Sequence, residues 1–455
     1  MMIETLTLVR ILFLCSFALF SLCGAVTAVQ QPPNFVLILA DDLGYGDLSV
    51  YAKTSIRTPH LDDMAAQGVK LTNFYAGAPT CTPSRAALLT GRYPLRSGLI
   101  RVLHPREKFG LLDSELTLAE LLKEREYATG CVGKWHLGDL PRFRPTRHGF
   151  DYFYGLLYSN DMTLRPPNFS RLWLWQNDEA IESPVVQQTL TKRYTQQAIT
   201  FMEKNKTRPF FLYLAHTMPH VPLHASSEFR NRSTRGLYGD VVEEIDWSVG
   251  EIVKALQRMG LAERSLVVFT SDNGPAIERG AFGGSAGSLR GGKQTVWEGG
   301  VRVPFIACWP GRLPAGSIRH GVATAMDLFP TLAELAGARN LKDRLIDGRS
   351  IINMLEGKQE SPHSYVYCFL GRNLAAVRSG PWKLHLFKSK LQLNGLRKPV
   401  SCNPPELYNL DDDPSEQRNV AGANPALVKQ LSAQAQQFEI TIAPEQLLPQ
   451  WRGPF

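Results

Sequence analysis

Cys81-Thr82-Pro83-Ser84-Arg85 brings a thiol, a proline and a guanidinium within about one helical turn, in a run that closes at Gly91-Arg92. Thr82 reads as a helix cap and Pro83 as the first helical residue, so Cys81 is expected just before a helix N-terminus. Unpaired backbone N–H groups and the helix dipole favour an anion at such a place and would acidify an unmodified thiol. Arg85, four residues on, suits a tetrahedral oxyanion through forked hydrogen bonds.

Four further segments carry residue types that fit the same chemistry. Asp41-Asp42 closes one apolar run and Asp272-Asn273 closes another. Three carboxylates and an amide oxygen, without thiolate or imidazole, make a hard oxygen site suited to calcium or magnesium. Lys134 and His136, in Gly-Lys-Trp-His-Leu-Gly, share a side if the backbone stays extended, pairing an anion anchor with a proton-transfer group. His220 follows the run Phe210 to Ala215 and could donate to an anion oxygen or a leaving oxygen, with His216 and His224 as nearby competitors. Lys293 lies in the glycine-rich stretch Arg290-Gly-Gly-Lys-Gln-Thr-Val-Trp-Glu-Gly-Gly, where backbone can approach a ligand closely.

The elements that must position these residues alternate. Asn34 to Ala40 is an unbroken apolar run of the kind buried in parallel sheets. A helix from Thr58-Pro59 to Gly68, a strand Val69 to Tyr75, a helix Thr117 to Glu124 and a strand Ala128 to Gly133 follow. Apolar runs at 208–215 and 266–271 flank a helix from Val241 to Met259. This pattern predicts an α/β fold with a large, mostly parallel sheet sandwiched by helices. After about Ser361 the texture changes to strands around Ser379-Gly-Pro and at Glu406 to Leu410, then a helix from Pro425 to Phe438. That predicts a smaller antiparallel α+β domain. The expected organisation is a leader at 1–28, a catalytic domain at 29–360 and a small domain at 361–455.

The 455 residues, 44% apolar, suffice for a large core. Arg10, the apolar run Ile11 to Val26 and the small residues before Val29 read as a cleaved export signal. The chain is therefore expected to be exported, to a periplasm, the exterior or a lysosome-like compartment. Its loss leaves Cys81, Cys131, Cys308, Cys368 and Cys402, of which Cys368 and Cys402 could bridge while Cys131 and Cys308 read as buried thiols. Asn168, Asn205 and Asn231 head glycosylation sequons. The net charge of +8 fits an anionic substrate, while the dispersed basic residues exclude a nucleic-acid module. Trp173 and Trp175 read as packing residues, with stacking on a sugar as the other option. Oligomeric state is open.

Taken together, Cys-x-Pro-x-Arg, Gly-Lys-Trp-His, Asp-Asn-Gly and the C-terminal Gly380-Pro-Trp-Lys-Leu and Glu406-Leu-Tyr-Asn-Leu-Asp segments resemble the arylsulfatase-type sulfatases of the alkaline phosphatase superfamily. The resemblance runs from about Asn34 to Val420 and implies the following. A formylglycine-generating enzyme oxidises Cys81 to formylglycine, whose hydrate attacks sulfur to give a covalent sulfated intermediate. Asp41, Asp42, Asp272 and Asn273 bind calcium. Arg85 and Lys134 hold the hydrate, His136 is its proton partner, and His220 and Lys293 bind the sulfate ester and the departing oxygen. Ser159 resembles a polar substrate-side position. The substrate is then an aryl sulfate or a sulfated saccharide. Two other readings share these residues: a phosphonate or phosphate ester hydrolase on the same scaffold, and a sulfated-glycan-binding protein in which Cys81 stays a thiol.

Overall fold

The computed structural model describes residues 32–162, 171–338, 344–392 and 397–442. The leader expected at 1–28 and the sequon at Asn168 lie outside them. The described residues from Pro33 onward belong to one compact unit. Among them, no helix is long and apolar enough to cross a membrane.

Ten strands form one sheet: β1 (Asn34–Ala40), β2 (Val69–Tyr75), β3 (Ala128–Lys134), β4 (Tyr152–Leu156), β5 (Leu174–Gln176), β6 (Glu179–Glu182), β7 (Phe210–Ala215), β8 (Ser265–Ser271), β9 (Arg302–Cys308) and β10 (Ser317–Thr324). Their order is β10-β2-β9-β8-β1-β7-β3-β4-β5-β6. The middle, from β8 to β4, is parallel throughout. Antiparallel pairs occur on either side, where β9 meets β8 and β2 and where β5 meets β4 and β6. Strands β1, β3, β7 and β8 are buried at every residue, so both faces of the middle are covered. Unbroken apolar runs are the composition that such two-sided burial demands.

Helices α1 (Pro59–Ala66), α2 (Cys81–Thr90), α3 (Leu118–Lys123), α4 (Leu190–Lys204) and α5 (Leu237–Arg258) connect the strands. Helix α3 starts with a capping box: the Glu120 N–H donates to Thr117 Oγ1 at 3.1 Å and the Thr117 N–H to Glu120 Oε2 at 2.8 Å. Helices α4 and α5 pack against each other.

A second, antiparallel sheet runs β11 (Val366–Leu370), β12 (Asn373–Ser379), β13 (Trp382–Leu391), β14 (Arg397–Asn409). Helix α6 (Pro425–Thr441) covers it, placing Leu431 and Ala435 among Tyr367, Phe369, Leu374 and Leu384. Phe438 stacks on Tyr367 at 3.7 Å. The expected strand at Glu406 is the end of the longer β14, whose Pro399, Pro404 and Pro405 are tolerated because it is an edge strand.

Cys368 and Cys402, which could have bridged, do not. Both are free buried thiols, on β11 and β14, which two intervening strands keep apart. Cys131 and Cys308 are free and buried as expected. Trp175 packs, half-buried, with the Arg144 guanidinium 4.3 Å from its ring, whereas Trp173 is exposed.

Candidate active site

Four adjacent parallel strands, β8, β1, β7 and β3, end at one edge of the sheet, where ligands of open α/β folds gather. There β1 runs into Asp41-Asp42, β8 into Asp272-Asn273, β3 ends on Lys134 and β7 leads to His220. Backbone bonds extend the ladder past the strands: the Asp272 N–H donates to Ala40 O at 3.1 Å and the Asp41 N–H to Met218 O at 3.1 Å. Asp42 then turns into the left-handed region, φ +67°, and its N–H donates to Asp272 Oδ1 at 3.1 Å. That turn gives two neighbouring aspartates different partners.

Close strand packing also sets the site. Gly133 has φ +113°, and a Cβ there would lie 1.8 Å from Ala215 O, so only glycine lets β3 approach β7 just before Lys134.

Cys81 is the first residue of α2, with Thr80 as the N-cap, rather than lying ahead of a helix capped by Thr82. Thr82 instead ties loops together: its hydroxyl donates to His136 O at 2.9 Å and accepts from the Leu103 N–H at 3.2 Å. The expected acidification of Cys81 does not hold either. Burial pushes the thiol up to about 12, overcoming the pull of Lys134 and Lys293.

Around Cys81 three carboxylates interleave with three cations. Cys81 Sγ lies 3.6 Å from Asp41 Oδ1 and 3.3 Å from Lys293 Nζ. Lys134 Nζ donates to Asp41 Oδ2 at 2.5 Å and to Ser159 Oγ at 3.3 Å. Arg85, fully buried, donates from Nε to Asp272 Oδ2 at 3.0 Å and from Nη1 to Lys134 O at 2.9 Å. Lys293 Nζ donates to Asp42 Oδ2 at 2.7 Å. The acids respond differently. Burial raises Asp41 and Asp42, but Lys134, His220 and Arg85 outweigh it at the first, and Lys293 and His220 at the second, so both fall below the usual carboxylate range. Asp272 is held above it by burial and by the Asp41 carboxylate.

His136 is brought to the site by a different route from the one expected. β3 ends at Lys134 and His136 has φ +61°, so the backbone is not extended and the shared-side argument fails. Its Nε2 pairs with Leu103 O at 3.0 Å, while its buried Nδ1 has no partner. Burial, then Lys134, hold the ring well below the usual histidine range and hence neutral. Of the three candidate histidines near β7, His220 reaches the acids, with Nε2 3.7 Å from Asp42 Oδ2 and Nδ1 2.6 Å from Val221 O. His216 is a core residue bonded to Ser248 at 3.2 Å, and His224 is half-buried with its backbone N–H on Met218.

The donor set fits a hard divalent cation. Its oxygens come from Asp41, Asp42, Asp272 and Asn273, and Asn273 Oδ1 is buried without a hydrogen-bond partner. Donor atoms of Asp41, Cys81 and Asp272 lie within 4.8 Å of one another, as do those of Asp42, Cys81 and His220. Asp161 escapes the sequence reading. Although burial raises its carboxyl, His220 and Lys134 bring it below the usual range. Only its place two residues after Ser159 hinted at it.

The sulfatase family profile matches residues 33–338, and that of the C-terminal region of aryl-sulfatase matches 361–452. The chain belongs to the sulfatase family. Dog (Canis lupus familiaris) N-acetylgalactosamine-6-sulfatase is 38% identical, with 96% of this chain and 91% of that protein covered. Human (Homo sapiens) arylsulfatase A is 40% identical over 93% and 92%. The crystal structure of Ps i-CgsB superposes with a TM-score of 0.79 at 33% identity, covering 92% and 94%, and a second structure of it holds k-i-k-neocarrahexaose. A phosphonate monoester hydrolase from Silicibacter pomeroyi, at 18% identity and TM-score 0.67 over 91% and 96%, shares the fold alone. This sulfatase is a sulfuric ester hydrolase, and its relatives do not favour the phosphonate reading.

Proposed function

We propose that this sulfatase desulfates a saccharide, using residue 81 as formylglycine beside a calcium ion held by Asp41, Asp42, Asp272 and Asn273. The observation that carries this reading is the seat of the Cys81 side chain between Asp41 and Lys293, at 3.6 and 3.3 Å. When bound, the hydrated aldehyde would supply the attacking hydroxyl and the cation would supply charge neutralisation.

The chain's own side chains do the rest. Arg85 and Lys134 flank residue 81 and hold its oxygen by charged hydrogen bonds. The neutral His136, with Nδ1 free of other partners, takes and returns the proton of the residue 81 substituent. Lys293 and His220 bind the ester and stabilise the departing oxygen. Ser159, between Lys134 and His220 at 3.3 and 3.5 Å, orients them on the substrate side. With Asp161 four carboxylates face three cations, so a divalent ion would leave the site with a net positive charge that draws an anionic ester.

Sulfated saccharides are favoured because relatives carry that chemistry in their names, including N-acetylgalactosamine-6-sulfatase. We further hold to export through residues 1–28, to maturation by a formylglycine-generating enzyme, and to a catalytic part at 29–360 with a small part at 361–455. A sulfate-release screen over defined sulfated saccharides and phenols tests the substrate. Faster release from simple phenols than from every saccharide would overturn the saccharide reading.

A further inference from the structure

Lys293 depends on a loop that is poor at fixing itself. Arg290 to Glu298 begins with Arg290-Gly291-Gly292 and runs into Gly299-Gly300. Glycines lose the most conformational freedom on ordering, and a flexible lysine stem adds rotamer entropy of its own. Internal bonds include the Gly299 N–H to Arg290 O at 2.8 Å and the Thr295 N–H and Oγ1 to Gly292 O at 3.1 and 2.7 Å, and the middle is anchored by the Lys293 N–H on Pro275 O and the Gln294 N–H on Pro79 O, both at 2.8 Å.

The two ends of the loop are further restrained by the small sheet and the turn after it. Glu416, fully buried and held at φ +51°, touches both ends of the loop. Its backbone oxygen accepts from Arg290 Nη1 at 2.6 Å, and its Oε2 accepts from the Glu298 N–H at 2.7 Å. Its other carboxylate oxygen accepts from His385 Nε2 at 2.7 Å and faces Lys383 Nζ at 3.3 Å. Lys383 Nζ also donates to Glu298 Oε1 at 2.7 Å, and Tyr75 to Glu298 Oε2 at 2.7 Å. The Arg290 guanidinium lies 3.8 Å from the Trp297 ring, and Trp297 packs on His385 at 4.3 Å.

We propose that Glu416 is a positioning residue for sulfate-ester hydrolysis: by gripping Arg290 and Glu298 it closes the glycine-rich loop and holds Lys293 Nζ at residue 81. The small sheet thereby acts on the chemistry from a distance, through Lys383 and His385, which orient the Glu416 carboxylate. The inference rests on the reading of Lys293 as an ester-binding group.

The test is a double-mutant cycle on the full-length enzyme with a chromogenic aryl sulfate. Lys293→Met should lower kcat/KM by about 100-fold. Glu416→Ala should lower it by about 10-fold to 100-fold through loop displacement, while Glu416→Gln, which keeps the acceptor for Glu298, recovers most of the loss. The Glu416→Ala/Lys293→Met double variant should be no worse than Lys293→Met alone, because Glu416 acts through Lys293. Should Glu416→Ala fail to fold, Arg290→Met, at a half-buried position, replaces it with the same non-additivity expected. Multiplicative losses, or wild-type kcat/KM in a folded Glu416→Ala or Arg290→Met variant, would overturn the proposal alone. An unchanged rate in Lys293→Met would overturn the reading of Lys293 and the proposal with it.

Discussion

Two buried ionic clusters lie either side of the Lys293 loop, and they treat their carboxylates in opposite ways. Between the sheets, every oxygen of Glu298 and Glu416 has a donor among Lys383, His385, Tyr75, Arg302 and the Glu298 N–H. At the sheet edge, Asp41, Asp42 and Asp272 crowd together and Asn273 Oδ1 stays unpartnered, while each cluster leaves one histidine Nδ1 without a partner, His136 at the edge and His385 between the sheets. Although burial raises Glu298, Lys383, Arg378 and Arg302 bring it down to about 2, whereas burial and Asp41 drive Asp272 up. A cluster whose carboxylates are fully bonded holds elements in place. An acid-rich, incompletely bonded one is suited to taking up a cation and a proton.

That contrast can be broken most forcefully at residue 81. Cys81→Ser should fold normally yet lose sulfate release by about 10⁴-fold or more in a host that converts only cysteine. Near wild-type release would remove the aldehyde from the mechanism. Next, chelation should silence the edge cluster by about 1000-fold, with calcium restoring it, and leave the inter-sheet cluster intact. Activity that survives exhaustive chelation would mean the acids serve another purpose.

The inter-sheet cluster should answer in stability instead. Glu298→Gln leaves Lys383 without a full counter-charge and should cost about 3 kcal/mol in denaturant unfolding. Because the folded Glu298 carboxyl lies below its ordinary value, its contribution is complete above about 4.5 and is lost as pH falls towards about 2. Glu298→Gln should flatten that acid limb, and an unchanged limb would contradict the assignment. At the small end, Lys254→Ala removes a half-exposed pair with Glu251 and should cost less than about 0.5 kcal/mol, with sulfate release unaltered.

The sequence makes the parallel middle of the sheet legible because two-sided burial leaves unbroken apolar runs, as at Asn34–Ala40 and Phe210–Ala215. β14 is legible only at its end, since Pro399, Pro404 and Pro405 argue against a strand until its edge position is known. The residues expected around Cys81 do converge, but two local geometries were out of reach. Thr82-Pro83 imitates a helix start that Thr80 in fact makes, and the left-handed turn at His136 follows from tertiary packing rather than from its own type. The Glu298–Lys383–Glu416 cluster left one weak trace: a lone charge within each of two otherwise apolar or glycine-rich segments, around Glu298 and Lys383. Partners 85 and 118 residues from Glu298 could not be inferred from that.

The most direct measurement is mass spectrometry of the proteolytic peptide spanning residue 81, taken from enzyme whose sulfate release has been assayed. Formylglycine at residue 81 would give the mass deficit of a sulfhydryl replaced by an aldehyde, in proportion to activity. An unmodified Cys81 peptide in fully active enzyme would contradict it.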